Sequence, residues 1–164
     1  MSSPSPKSEA DQRAALHKII TVAHTAFLVT NSEKGPHGRP MATAKVEADM
    51  ATFYFPTERD SAKLKELAKD DRVFLGYVSG SDWASVSGRG RVVDDKAKNR
   101  ELWTDLWKNW FDGPDDPKMV LIAVTPELGE YWDSANRAVV LAKMAYTAVT
   151  GQKTQVSDHA KLVL

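Results

Sequence analysis

The chain of 164 residues contains no cysteine and carries no net charge. The absence of cysteine excludes disulfides, zinc–thiolate sites and thiol nucleophiles, and it is compatible with a reducing cytoplasm. Lysine plus arginine equal aspartate plus glutamate at 22 each, so no overall field attracts nucleic acid or anionic lipid. Any bound anion must therefore be held by a local group of side chains.

Long apolar runs are also missing from the sequence. The N-terminus lacks the apolar centre of a signal peptide, and no apolar segment approaches the roughly 18 residues that span a bilayer. These absences predict a cytoplasmic protein that does not contact a membrane. The apolar fraction of 42% is enough for one ordinary core. We expect a Ser- and Pro-rich disordered tail over residues 1–9, followed by one domain over residues 10–164.

The hydrophobic pattern predicts short strands with helices between them. Strand composition or alternation occurs over 26–31, 39–48, 51–56, 72–79, 83–93, 118–126 and 128–134, with a loop over 32–38. Helical spacing occurs over 9–25, 60–69, 94–111 and 136–151, and residues 155–164 are compatible with an edge strand. Strands joined by hairpins favour antiparallel pairing. We therefore predict a mainly β (α+β) protein, a six- or seven-stranded antiparallel β-barrel with flanking helices.

The stretch "TERDSAKLKEL", residues 57–67, has features of an anion site. Asp60 is a good N-cap, which places Ser61, Ala62 and Lys63 in the first turn of a helix, where backbone N–H groups lack helical partners. Lys63 opposes the helix dipole there, and Thr57 and Ser61 add hydroxyl donors, so the group can bind phosphate. The alternative is an ordinary capped helix with a solvated lysine.

The stretch "HGRPMATA" offers a second cation and a pliant surface. Arg39 is either an exposed charge at a strand start or a second phosphate ligand. Met41, Ala42 and Thr43 could lie against a flat ring, and they would serve equally well in a core.

Aromatic residues are concentrated after residue 102. Trp103, Trp107, Trp110 and Phe111 are more large rings than one short helix can easily bury, so some are expected to face a partner. The alternative is that all four cover the core. Trp132 is either a core residue or a contact to a ring, and Ser85, Ser87 and Arg89 share one polar strand face.

Several catalytic patterns are absent. The histidines show no metal-ligand spacing, and no nucleophile-elbow serine motif occurs, which argues against a hydrolase. The "GRGR" segment lacks the frame of a phosphate-binding loop. No residue is identified as a general acid or base.

The motifs "GRPMAT", "FYFPTERDSAKLKEL", "RVFLGYV", "SVSGRGRVVDD", "ELWTDLWKNWF", "DDPKMVLIAVTP" and "EYWDS" occur in this order. They closely resemble the general stress proteins of the pyridoxamine 5′-phosphate oxidase-like group, which are split β-barrel flavin proteins. The resemblance runs from Leu16 to Trp132 and more loosely through the last helix. It implies a homodimer that binds FMN, with FAD as the alternative, in clefts at the subunit interface.

The resemblance also implies the residues of the flavin site. The phosphate would be held by Arg39, Thr57, Ser61 and Lys63, with Ala62 in the same turn, and the ring would be lined by Met41, Ala42, Thr43, Phe55 and Pro56. Ser87 would lie close to the cleft, and Trp107, Trp110 or Trp132 would reach the flavin, partly from the second subunit.

One departure from the family bears on activity. The pyridoxamine phosphate oxidases proper carry an Arg-x-His after their Trp, whereas Trp132 here leads into "DSANRAVVLAKM". We therefore expect a flavin-dependent oxidoreductase of unknown substrate. The first alternative is a flavin reservoir or sensor without turnover. The second is a pyridoxamine 5′-phosphate oxidase with a rebuilt substrate site, in which Arg137 or Lys143 binds the phosphate of the substrate. The third is a haem protein with His37 as ligand.

Overall fold

The computed structural model describes residues 7–134, 137–154 and 157–164. The helices are α1 (Glu9–Ala23), α2 (Ala62–Lys69), α3 (Lys96–Leu102) and α4 (Arg137–Thr150), and 3-10 turns occur at Ala48–Met50 and Asp105–Asn109. The strands are β1 (Thr25–Ser32), β2 (Gly35–Ala42), β3 (Lys45–Val46), β4 (Phe53–Glu58), β5 (Arg72–Ser79), β6 (Asp82–Val93), β7 (Met119–Ser134) and β8 (Ser157–Val163).

The strands form one antiparallel sheet in the order β2-β1-β5-β6-β7-β4-β3, and β8 also pairs with β7. The end strands β2 and β3 do not pair with each other, so the barrel is split. The predicted α+β class and antiparallel split barrel are thus confirmed, with eight strands rather than six or seven. The two-residue β3 lies within the strand predicted at 39–48, and the C-terminal β8 lies in the segment predicted to be compatible with an edge strand.

Strand β7 organises the sheet. One edge pairs with β6, while the other pairs first with β4 and then, beyond Leu128, with β8. The register with β6 shifts between Ser87 and Gly88, where a Cβ on Gly88 would lie 2.1 Å from the carbonyl oxygen of Thr125. Only glycine fits this close approach.

The core lies between the inner face of the sheet and helices α1 and α2. Helix α1 contributes Leu16, Ile19 and Ile20, all buried, against β5, β6 and β7, and α2 contributes Leu64 and Leu67. The apolar stripe predicted for residues 9–25 is therefore the surface that packs on the sheet. A second cluster, with Trp107 and Phe111, lies on the far side of β7.

The first helix, α1, begins at Glu9, as the helical spacing predicted. Ser8 caps α1 by accepting from the backbone N–H of Asp11, whose carboxylate accepts from Ser8 in return, and Glu9 is already helical. This capping box orders the chain at the start of α1. Residues 1–6, the rest of the predicted tail, lie outside the described residues.

Three predicted elements have different bounds. The loop predicted over 32–38 is a tight turn in the structure, because Gly35 adopts a φ of 108° and β2 starts there. Pro36 and Pro40 are tolerated because β2 is an edge strand.

The strand predicted at 39–48 ends at Ala42 and resumes as β3. The two strands predicted at 118–134 are one, because Pro126 falls at the β-bulge, where it interrupts no regular ladder.

The helix predicted over 94–111 is broken at Trp103, which adopts an extended ψ of 138°. Thr104 then caps a separate 3-10 turn by accepting from the backbone N–H of Leu106. Threonine favours a cap over a helix interior, which explains the break. Among the described residues, no helix has both the length and the apolar character needed to cross a bilayer.

Candidate cofactor-binding cleft

A cleft of about 370 Å³ opens between β2, β4, the start of α2 and the 3-10 turn after α3. Its lining is mostly apolar at one end and polar at the other. The lining residues are Pro40, Met41, Ala42, Pro56, Thr57, Glu58, Lys63, Trp107, Trp110 and Phe111. Seven of the residues expected at a flavin site thus meet in one cleft, although they come from four separate parts of the chain.

The polar end is built by the turn from β4 into α2. Ser61, rather than the predicted Asp60, is the N-cap, so that Lys63 is the second residue of the helix. The Lys63 ammonium donates to Thr57 Oγ1 at 2.9 Å, and Thr57 Oγ1 lies 3.3 Å from Ser61 Oγ. Because the side chain of Ser61 bonds to no backbone N–H of α2, the first turn keeps donors for another acceptor.

The electrostatic state of Lys63 reflects its position. Partial burial, and then the positive charge of nearby Arg39, lower the pKa of Lys63 below its ordinary value of 10.5, although Glu58 and Glu66 act in the opposite direction. Two cations are therefore held close together in a partly desolvated place. A bound anion would relieve both the repulsion and the desolvation.

Arg39 is held at the same end by a compact polar cluster. Its guanidinium donates to Glu66 Oε2 at 2.8 Å and to the buried Thr30 hydroxyl, and it lies 2.9 Å from Nδ1 of His37. Burial alone would raise the pKa of Glu66, but hydrogen bonds from Thr30, His37 and Arg39 outweigh it and hold this pKa at about 2. Arg39 is therefore paired and oriented, with a carboxylate that stays ionised.

The apolar end is closed by the 3-10 turn. Trp107 is only 6% exposed and packs edge-on against Trp103, with ring centroids 5.9 Å apart, whereas Trp110 is 64% exposed at the rim. The break at Trp103 thus separates one structural tryptophan from one that is available to a ligand or partner. The sequence left open whether these rings are core or contact surface, and both occur.

The other predicted site residues lie elsewhere. Thr43 Oγ1 lies 3.1 Å from the hydroxyl of Tyr77, Phe55 is fully buried in the core, and Ala62 is exposed at the start of α2. Ser87 and Trp132 are on β6 and β7, outside the cleft lining. These five residues do not line the cleft within one copy of the chain, and neither do Arg39 and Ser61, which lie beside its polar end.

Sequence reasoning missed several residues of this region. Pro40, Glu58 and Phe111 line the cleft, and each is adjacent to a predicted residue, so the motifs could have indicated them. Thr30 and Glu66 around Arg39 left no such signal, because they come from β1 and α2 and meet Arg39 only in the fold.

The residues of the alternative functions are placed as follows. His37, the ligand that a haem protein would need, is paired with a carboxylate. Its Nδ1 lies 3.0 Å from Glu66 Oε1. Lys143 lies on α4, and the side chain of Arg137 falls outside what the structure describes.

The outer face of the sheet is unusually apolar. Phe27, Phe74, Val78 and Trp83, on β1, β5 and β6, are each between 47% and 54% exposed. Phe74 pairs with Ser87, and Trp83 pairs with Trp132, which in turn stacks on His159 at 5.0 Å between ring centroids. Ser87 and Trp132 therefore belong to this exposed outer face. A surface of this kind is typical of an interface.

Comparison with known proteins identifies the family. Residues 11–155 match the family model described as pyridoxamine 5′-phosphate oxidase like, which covers most of the chain, so the protein belongs to this family. General stress protein 26 of Bacillus subtilis is 28% identical over 125 residues, covering 71% of this chain and 87% of that protein.

Solved structures agree with this assignment. General stress protein 26 from Bacillus anthracis is 25% identical with a TM-score of 0.66, covering 73% of this chain and 92% of that one. The general stress FMN/FAD binding protein of Xanthomonas citri is 26% identical with a TM-score of 0.66, covering 79% and 94%. The resemblance to the general stress proteins of this family is therefore confirmed.

Proposed function

We propose that this protein is a cytoplasmic, homodimeric general stress flavoprotein that binds FMN or FAD in the cleft and performs redox chemistry on a substrate still to be identified. The observation that carries the proposal is the division of the cleft into a polar end at Thr57 and Lys63, with Arg39 close enough to act on the charge of Lys63, and an apolar end at Met41, Pro56 and Trp107. The Xanthomonas citri relative, described as FMN/FAD binding, supports the choice of ligand.

The polar end suits the phosphate of a flavin nucleotide. Lys63 supplies a partly desolvated charge, Thr57 and Ser61 supply hydroxyls, and the first turn of α2 supplies backbone N–H groups. Arg39 adds the second cation, already oriented by Glu66. Together these groups form the charge-assisted hydrogen bonds that phosphate favours.

The apolar end suits a planar ring system. The β2 backbone at Met41 and Ala42 supplies one wall, Pro56 of β4 a second, and Trp107 and Trp110 the third. When bound, a flavin would supply the electron transfer. The chain's own residues would orient the ring, exclude water from one side and tune its environment.

The lining holds few ionisable groups, and this bears on the kind of chemistry. Among the residues that line the cleft in the described part of the chain, Glu58 and Lys63 are the ionisable ones, and both lie at the phosphate end. The same observation favours a second candidate, a flavin reservoir or sensor without turnover. Anaerobic titration of the bound flavin with NADH, NADPH and reduced deazaflavin distinguishes the two, because only the oxidoreductase reacts rapidly with a physiological donor.

The proposal is tested by the absorbance of the purified protein after separation from free flavin. We expect retained near-ultraviolet and blue bands in the wild-type protein. Lys63→Ala should weaken flavin binding by about 1.5 to 3 kcal/mol, since it removes a charge-assisted bond to phosphate. The matched control is Lys65→Ala, because Lys65 is exposed on the same helix and does not line the cleft.

Two results would contradict the proposal at different levels. A wild-type protein that retains no flavin at micromolar concentration would reject the cofactor. Equal affinity in the Lys63 and Lys65 variants would leave the cofactor in place and reject the assignment of the phosphate end.

A further inference from the structure

Helix α4 is inserted at the tip of a β-hairpin. Ser134, the last residue of β7, is paired with Ser157, the first residue of β8. The chain therefore leaves the sheet at one point and returns to the same point after residues 135–156. A hairpin needs only two residues to make this connection, so the helix is not required to join the strands.

The polarity of α4 is inverted relative to an ordinary surface helix. Its half-buried side carries Val140, Lys143 and Thr147, and it faces the segment that follows the helix. Thr154 Oγ1 lies 3.3 Å from Thr147 Oγ1 and donates to the Lys143 carbonyl oxygen at 3.5 Å. The side turned to its own chain is thus tied by polar contacts.

The side of α4 turned away from its own chain is apolar. We define the outward stripe as Leu141, Met144, Ala145, Ala148 and Val149, which follow the i, i+3, i+4, i+7, i+8 spacing of one helix face. All five are exposed, and Val149 is 87% exposed. Amphipathic helices turn such a stripe toward a packing partner, and the described residues of one chain do not cover it.

The length of α4 makes a partner necessary for its stability. The helix has 14 residues, and isolated helices of about 12 to 15 residues are marginal in water. Within the described part of the chain, neither the sheet nor another helix packs extensively against α4. The hydrogen bonds between α4 and residues 151–154 involve only the C-terminal end of the helix.

We infer that the outward stripe of α4 packs against a second copy of this chain, and that α4 is an arm of the homodimer; this rests on the dimer proposed above. The helix leaves β7 two residues after Trp132, which pairs with Trp83 on the apolar outer face of the sheet. Helix α4 therefore begins close in sequence to the part of β7 that belongs to the apolar outer face. In a two-fold dimer both surfaces are duplicated and can be buried together.

Charge favours a second copy over other occupants. The whole chain has no net charge, so two copies do not repel each other. Helix α4 carries only Arg137 and Lys143 as charged residues, and Lys143 is on the inner side. Helices that lie on anionic membranes carry several cations along their polar face, which α4 lacks.

The test removes the arm without opening the sheet. In one variant, residues 135–156 are replaced by Asn-Gly, which suits the two-residue turn between Ser134 and Ser157. A second variant, Leu141→Ser with Met144→Ser and Val149→Ser, keeps the helix and removes the stripe. The control is Val22→Ser on α1, which is 56% exposed and distant from α4 in sequence. Sedimentation over a concentration series gives the dimer dissociation constant.

We expect both α4 variants to dimerise at least about tenfold more weakly than wild type, since burial of one such side chain is worth that factor or more. The Val22 control should dimerise like wild type. An unchanged dissociation constant in the triple variant overturns the inference. A wild-type protein that stays monomeric overturns it too. Flavin retention is measured separately on the same wild-type sample, so failure of the cofactor proposal is distinguishable.

A single label identifies the occupant directly, because the chain has no cysteine. Val149→Cys carries an environment-sensitive fluorophore, and its emission is followed as unlabelled wild-type protein is added. A blue shift with added protein supports the second copy. A shift that appears only with phosphatidylserine vesicles, or no shift in either case, overturns it.

Discussion

Arg39 shows how a fold can prepare a cation for an anionic ligand. Three partners, Thr30, His37 and Glu66, converge on its guanidinium, and they come from β1, β2 and α2. The guanidinium is therefore oriented before any ligand arrives, which lowers the entropic cost of binding. The charge of Glu66 is essential to this arrangement, because a protonated carboxyl would lose the ion pair.

Acid stability tests the role of Glu66. Its pKa in the folded protein is about 2, against an ordinary value of 4.5, so its ionised form stabilises the fold above pH 4.5. That contribution is lost as the pH falls from 4.5 toward 2. We expect Glu66→Gln to lower the free energy of unfolding at neutral pH by about 1 to 3 kcal/mol and to flatten the pH dependence between 2 and 4.5.

Denaturant unfolding at a series of pH values measures this difference. The control is Glu33→Gln, since Glu33 is a highly exposed partner of Lys69 and should change stability little. Parallel stability curves for wild type and Glu66→Gln would show that Glu66 does not contribute in this way.

The limits of sequence reasoning are clear from these residues. Lys63 and Thr57 could be predicted from local signals, because a lysine in the first turn of a helix opposes the helix dipole. Glu66 could not, because it is an ordinary helical glutamate until α2 packs beside β1 and β2. Local sequence indicated the start of α2 to within one residue, since Ser61 rather than Asp60 is the cap. It does not predict which distant side chains converge.

The segment after α3 makes the same point for an element. The aromatic spacing predicted one helix, but Thr104 starts a new turn and redirects the rings. As a result Trp107 enters the second core cluster and Trp110 stays at the rim. The prediction of helical structure over 94–111 was correct for α3 and the 3-10 turn, but it did not include the break between them. That break decides which tryptophan is buried and which stays at the rim of the cleft.

Substitution of the two tryptophans separates their roles. We expect Trp107→Ala to lower the free energy of unfolding by about 3 to 5 kcal/mol, because it leaves a cavity in the cluster. Trp110→Ala should change stability by less than about 1 kcal/mol, since the ring is largely exposed, and should weaken flavin binding. Each variant serves as the control for the other.

Denaturant unfolding and flavin titration of both variants are the measurements. A Trp110 variant with wild-type flavin affinity would show that the rim ring does not contact the ligand. A Trp107 variant with wild-type stability would contradict the packing seen in the second cluster.

For the molecule as a whole, the antiparallel class followed from hairpins between neighbouring strands, but the sheet order did not. The pairing of β4 with β7 joins strands that are far apart in the chain, and no local pattern specifies it. That pairing positions β4 beside the cleft and extends the sheet whose outer face is apolar. Ser87 and Trp132, implied as flavin neighbours yet absent from the cleft lining, both lie on this face.

The proposed homodimer would account for the separation of these residues from the cleft in one chain. If the outer faces of two copies pack together, Phe74 lies within the buried interface and Trp132 can approach the cleft of the partner. Phe74→Glu would then bury an unpaired carboxylate at the interface. This would make the free energy of dimerisation less favourable by several kcal/mol, enough to dissociate a dimer of ordinary affinity. We expect this variant to be monomeric at micromolar concentration and to lose flavin.

Sedimentation, far-ultraviolet circular dichroism and retained flavin absorbance are measured on Phe74→Glu and on the control Val22→Glu. Val22 is as exposed as Phe74 but lies on α1, so its variant should remain dimeric and yellow. A folded Phe74 monomer that keeps its flavin would show that one chain completes the site. A Phe74 variant that stays dimeric would place the interface on another surface. Folded, monomeric and colourless protein is the result that a cofactor site shared between two subunits requires.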